Sequence, residues 1–203
     1  MLKIKTVLCP ACWIALLLIA GCAPETWVVV TPPTARPAPN VALVVGEVVD
    51  ALPADTPIDA HPEAARLEKF RSFLVNDLKG LARADAGGQA VMSGSSSSKH
   101  DRMFSSVALG PADSSYADST LVLTGRVLTY TTGSRMMRYF VGFGAGKGKC
   151  VIEMTLRQRG RPGDLFVANF KGQLAGGVYG GSAQDMFRGV SMEVTRCLKK
   201  TLR

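Results

Sequence analysis

A cysteine at position 22 closes the short apolar run of residues 6–20 and divides this chain into a part that is removed and a part that folds. Lys3 and Lys5 precede the run, and Leu18-Ile19-Ala20-Gly21-Cys22 ends it. A basic start, an apolar middle and small residues before a cysteine read as a lipoprotein signal peptide. The run is too short for a spanning helix, which needs about 20 apolar residues, and Pro10 interrupts it. Residues 1–21 are therefore set aside as signal peptide, and Cys22 is expected to carry the lipid. Several acyl chains hold a protein firmly on a bilayer, because each buried methylene contributes about 0.8 kcal/mol. Ala23, rather than aspartate, follows the cysteine, which by analogy with enteric bacteria favours the outer membrane, facing the periplasm. Cys9-Pro10-Ala11-Cys12 has redox spacing but falls within the removed segment.

What remains is 182 of the 203 residues, room for one domain. Residues 22–40 contain Pro24, Pro32, Pro33, Pro37 and Pro39 and read as a lipidated, extended tether, with Trp27 and Val28–Val30 able to lie on the bilayer or pack on the domain. A single domain is expected over 41–203. The valine-rich residues 41–49 read as a buried strand. Leu67, Phe70, Leu74, Leu78 and Leu81 recur at helical spacing, with Glu68, Arg71 and Lys79 opposite. Asp59 or His61 stands near the cap of that helix, and Gly87-Gly88 is its expected end. The serine run near residue 96 reads as a flexible loop, and 103–109 as a weaker strand. Residues 121–130, 150–156 and 165–174 read as three strands of an antiparallel meander. Pro162-Gly163 between the last two suits a type II turn. Ser182 and Asp185 approach a capping box ahead of a final helix with Phe187, Val190, Val194, Cys197 or Leu198, and Leu202 on its stripe. The expected fold is α+β, a two-layer sandwich of a mainly antiparallel sheet and two amphipathic helices.

Charge is uneven. Removing Lys3 and Lys5 lowers the net charge from +8 to +6. Between Arg126 and Lys171 nine basic residues are opposed only by Glu153 and Asp164. In an envelope compartment this suits anionic headgroups, acidic glycan or an acidic protein. Nucleic acid is not an expected partner, since the compartment lacks it and the chain carries no nucleic-acid motif. Solvated strand faces and edges that carry Lys and Arg are the simpler account of the same charges.

The most unusual run is 135–149, apolar and aromatic in the middle, glycine-rich, with cations at both ends. Its Gly-Lys pairs do not make a phosphate loop. Val141 and Phe143 stand where that motif has glycine, Cys150 follows Lys149, and a strand rather than a helix comes next. Two readings stay open: a glycine-rich bend that packs chain on chain, and an apolar loop that touches lipid or a partner. For the second, Arg135, Arg138, Tyr139, Phe143 and Lys147 are the expected contacts.

The string Gly125 to Arg135, the string Arg138 to Lys147, and Gly176-Gly177-Val178-Tyr179-Gly180-Gly181-Ser182 together resemble the signature of a bacterial lipoprotein family of unknown function, the domain-of-unknown-function 4410 family. The resemblance is strongest from about Leu121 to Leu202, and the Gly160–Asp164 turn departs from it. It implies a lipoprotein domain in the envelope and brings no reaction with it.

Cys150 and Cys197 both fall on expected core faces. A disulfide between them, which an oxidising envelope permits, and two buried free thiols are both left open. His61 and His100 lack metal-ligand spacing and read as surface residues. No Ser/His/Asp set, paired carboxylates, cofactor motif or metal site stands out, so no enzyme is expected. The sequence reading is a membrane-anchored binding or assembly module that contacts an envelope protein or its own copies. A lipid- or glycan-binding carrier is the alternative, and a hydrolase comes behind both.

Overall fold

The computed structural model describes residues 27–35, 37, 40–82, 103–111, 116–132, 148–174 and 182–202. They form an α+β fold of six strands and two long helices. The strands are β1 (Trp27–Thr31), β2 (Val41–Asp50), β3 (Phe104–Leu109), β4 (Leu121–Thr131), β5 (Lys149–Gln158) and β6 (Asp164–Gln173). The helices are α1 (Ala64–Lys79) and α2 (Ala183–Thr201), and a short 3-10 turn, Ile58–Ala60, precedes α1. The sheet order is β1-β6-β5-β4-β2-β3.

The sheet is mixed, which corrects the expectation of a mainly antiparallel one. β4, β5, β6 and β1 pair antiparallel, so the expected meander is present. β2 lies between β3 and β4 and is parallel to both. The reason is the connection. After β2 the chain returns along α1, so β3 must set out in the same direction as β2. A central parallel strand is covered on both faces, which is why β2 reads as a nearly continuous apolar run: Leu43, Val44 and Val45 are all buried.

β1 lies inside the stretch expected to be tether. Trp27 pairs with Phe170, Val28 with Asn169 and Val29 with Ala168, and Trp27 packs against the core. The sheet therefore begins at Trp27 rather than at residue 41. Proline is tolerated here because this is an edge strand followed at once by Pro32-Pro33.

The apolar stripe of α1 is buried as its spacing predicts, at Leu67, Phe70, Leu74, Val75 and Leu78. The helix stops at Lys79 with Gly80 as C-cap, ahead of the expected Gly87-Gly88. The chain is turned there by Leu81, whose carbonyl accepts from the Met103 amide at 2.6 Å. Arg71 is not simply solvated. Its side chain is 12% exposed, and its Nη2 donates to the Val45 and Gly110 carbonyls and ties α1 to the adjoining strand ends.

α2 opens on a complete capping box. The Ser182 amide donates to Asp185 Oδ2 at 2.6 Å while the Ser182 side chain accepts from the Asp185 amide. Met186, Phe187, Val190, Val194, Cys197 and Leu198 are buried. Phe187 stacks near Phe70 of α1 and Tyr130 of β4, with centroids 5.5 and 5.9 Å away; such pairs contribute about 0.5–1.5 kcal/mol beyond burial. The fully buried Ser191 hydroxyl donates to Asp77 Oδ2 at 2.6 Å, a polar clasp between the two helices.

One core takes the inward residues of every strand from β2 to β6 and both helix stripes. Ile152, Met154 and Leu156 face it, while Val151, Glu153 and Thr155 point to the opposite, outer face. Gly172 makes close packing possible. A Cβ there would stand 2.7 Å from Cys150 Sγ, 2.8 Å from the Met186 carbonyl oxygen and 2.9 Å from Val190 Cγ2.

Candidate functional site

Cys22, Arg135, Arg138, Tyr139, Phe143 and Lys147 lie outside the described residues, and so does the serine-rich loop. The strands fix where the expected binding run must begin and end. β4 finishes at Thr131 opposite Lys149, where β5 starts. The Leu174 amide donates to the Gly148 carbonyl, and the Lys149 amide donates to Thr131 Oγ1 at 3.2 Å. A Cβ on Gly148 would come within 2.6 Å of Leu174 Cδ1 and 2.9 Å of the Thr131 and Thr132 carbonyl oxygens. Three chain segments are pinched together there, which a side chain would prevent.

Register places several elements at this same end of the sheet. β1 starts there, because Trp27 faces Phe170 near the end of β6. β6 finishes there and α2 starts beyond it. Exposed Lys149 and Lys171 stand on the outer face at this end, Lys171 opposite Val151. Further down the same face Arg126 binds Glu153 Oε1 at 2.7 Å, and Arg157 pairs with Asp164. The expected basic stretch is therefore partly neutralised, and Lys149 and Lys171 carry the charge at the β1 end.

The β2 side of this end holds a pair that sequence reading missed. His61 Nδ1 lies 2.6 Å from Asp50 Oδ2, and Nε2 lies 3.3 Å from the Thr56 carbonyl oxygen. The Asp50 hydrogen bond raises the histidine pKa above its usual 6.5. Both ring nitrogens face acceptors, so only the imidazolium satisfies both. This is a clip between the end of β2 and the approach to α1, with neither nitrogen free to serve a reacting atom. The two residues are eleven apart with two prolines between, so no periodic signal could pair them.

Cys150 and Cys197 are both buried free thiols. Cys150 Sγ lies beside Gly172 at the level of Met186 and Val190. Cys197 is seven residues beyond Val190, about 10 Å further along a helix, where its sulfur lies 3.7 Å from Thr201 Oγ1. A disulfide needs Cα atoms within about 7 Å. Burial pushes the Cys150 thiol up to about 11 and raises that of Cys197 as well, which disfavours the nucleophilic thiolate.

At the opposite end of the sheet a shallow cavity of about 340 Å³ is lined by Asp118, Ser119, Gln158, Arg159, Gly160 and Arg161. It adjoins the β5–β6 turn, where Gly163 has the positive φ of +84° that a type II turn requires. Among the described residues no three His, Cys, Asp or Glu side chains gather to hold a metal ion, and no helix is long and apolar enough to cross a membrane.

No family model matches the chain, and no curated protein does. Several solved structures are similar at low identity. The PelC L103M dodecamer from Paraburkholderia phytofirmans is 14% identical, with a TM-score of 0.48 over 87% of this chain and 98% of that one. Protein XCC0632 from Xanthomonas campestris, described as DUF330, is 12% identical, with a TM-score of 0.46 over 85% of this chain and 90% of that one. A putative neuraminyllactose-binding hemagglutinin homolog from Helicobacter pylori is 10% identical, with a TM-score of 0.40 over 85% and 89%. Likeness at this level carries no activity, ligand or assembly to this chain.

Proposed function

We propose that this chain is a lipid-anchored bacterial envelope protein of the 4410 type. It is held by Cys22 on the periplasmic side of the outer membrane and acts as a non-enzymatic binding or assembly module. We read its helices and sheet as a two-layer sandwich, supported by the contacts of α1 with α2 and of each helix with the sheet. The observation that carries the functional reading is the shared end of the sheet. The start of β1, which follows Cys22, and both ends of the 133–147 run come together there. An anchor and an apolar, cation-flanked connection at one end suit a domain that meets its partner close to the membrane. Arg135, Arg138, Tyr139, Phe143 and Lys147 would make the contact, and Gly148 would hold the base of the run.

The test is crosslinking of the full-length protein in cells, followed by affinity purification and mass spectrometry. The reading expects one envelope complex, recovered at least about tenfold less well with Phe143→Ser and Arg138→Ala, as loss of about 1.4 kcal/mol or more would produce. Undiminished recovery with the variant would remove it.

Self-association is a second reading, favoured by β1. Among the described residues nothing pairs with its outer edge, and Val28, Val29 and Val30 are exposed. Such an edge is a template for another strand. A carrier with ligand between sheet and helices lacks comparable support, because Phe70, Phe166, Phe170 and Phe187 fill that space.

A further inference from the structure

β1 begins five residues after Cys22. A peptide chain advances at most about 3.6 Å per residue, so Trp27 lies within about 18 Å of whatever holds that cysteine. A domain of this size has a radius of gyration of about 15 Å. An anchor on Cys22 therefore keeps one end of the sheet against the bilayer and cannot suspend the domain away from it.

Register identifies the surface brought down. Val28, 62% exposed, faces Asn169 on the outer side of the sheet. Lys171 is two residues further along β6 on that side, and Lys149 stands diagonally from it on β5. Glu153, level with Val28 on this face, is engaged by Arg126, and the other acids at this end among the described residues are elsewhere. Asp50, Asp55, Asp59 and Glu63 lie on β2 and its connection to α1. β2 is four strands from β1, about 19 Å at a spacing near 4.8 Å. Asp50 is engaged by His61 and Glu63 by Arg66, while Asp185 is held in the α2 capping box on the helix side. The β1 corner of the outer face is thus apolar and positive, and the acidic corner is turned away.

We propose that this corner docks on an anionic lipid surface, with Lys149 and Lys171 against headgroup phosphates and Val28 at the boundary with the acyl chains. The proposal rests on anchoring at Cys22. The short leash matters because charges attract over only about 8 Å at physiological salt, and a reach of at most about 18 Å lets both lysines come within that range. Depth is limited by β1 itself. Its outer edge carries backbone N–H and C=O groups that hydrocarbon cannot satisfy, so the strand stays at headgroup level, where water reaches it.

The experiment uses the full-length lipidated protein with Trp27→Phe and Val28→Trp, which after signal removal leaves one tryptophan, at the docked position. It is reconstituted in phosphatidylethanolamine–phosphatidylglycerol vesicles and in phosphatidylcholine vesicles. The readouts are flotation and tryptophan quenching by lipid brominated near the headgroup. Docking predicts flotation in both and quenching roughly twofold or more stronger in the anionic vesicles, lost in high salt. Lys149→Glu with Lys171→Glu should abolish that excess without affecting flotation. Flotation with equal, weak quenching in both vesicles overturns docking and leaves the anchor standing. Failure to float overturns the anchor and docking with it. A blue-shifted, lipid-unquenched tryptophan together with a doubled mass assigns the corner to a second copy and also overturns the proposal.

Discussion

Replacing Gly172 by alanine would put a methyl group into the contact between β6 and α2. The new carbon would meet Cys150 Sγ at 2.7 Å, the Met186 carbonyl oxygen at 2.8 Å and Val190 Cγ2 at 2.9 Å. The sulfur and the methyl could turn aside. The carbonyl is backbone in the first turn of α2 and yields only if the helix rises from the sheet by several tenths of an ångström. Overpacking of this kind costs about 1–3 kcal/mol, and a backbone contact places Gly172→Ala in the upper half of that range. Alanine also narrows the unfolded ensemble, which offsets only about 0.4–1 kcal/mol. The expected net loss is about 2 kcal/mol, or roughly 4–8 °C in Tm for a chain of this length. The assay is thermal and urea denaturation of the non-lipidated chain from residue 23. Cys150→Ala isolates the sulfur: it should cost about 1 kcal/mol by itself, and the double variant should be less than additive yet still below Cys150→Ala. A Gly172→Ala change under about 0.5 kcal/mol, or a double variant equal to Cys150→Ala, would refute the claim that the α2 backbone limits this contact.

Two further predictions concern titratable groups. The His61 pKa is raised by its bond to Asp50, so the clip contributes stability fully below pH 6.5 and loses it as pH rises through the raised value. The urea midpoint of the native chain should fall across that window, and His61→Gln should flatten it; an unchanged slope would count against the clip. In the non-lipidated chain from residue 23, without reductant, Ellman's reagent should find no thiol in the folded protein and two after denaturation, because both sulfurs are buried and Cys150 is pushed up to about 11. A count of zero in denaturant would mean a bridge between Cys150 and Cys197.

Much of this fold was legible because its signals are local. The stripe of α1, the Ser182–Asp185 box, the alternation of β5 and the Pro162-Gly163 turn each follow from neighbours within a few residues. The misreadings share one cause. Nothing in Trp27–Thr31 announces its pairing with β6, since the partner lies about 140 residues away. Nothing in 41–50 or 104–109 declares that they run parallel, because direction is set by the helix between them. Arg71 reads as solvated by helical phase, yet the ends of β2 and β3 supply carbonyls for it.

The candidate site divides along the same line. Sequence alone determined which features single this chain out, namely a cysteine after small residues, an aromatic glycine-rich run flanked by cations, and a stretch of unbalanced lysine and arginine. These are properties of composition and short spacing, which the covalent chain holds whether folded or not. Tertiary structure decided what is gathered around them. It brought the start of β1 and the residues flanking the 133–147 run, Thr132 and Gly148, to one end of the sheet, neutralised Arg126 and Arg157, left Lys149 and Lys171 exposed on the outer face at that end, and paired Asp50 with His61. Those placements depend on strand register and direction, which are settled by burying the whole apolar face at once.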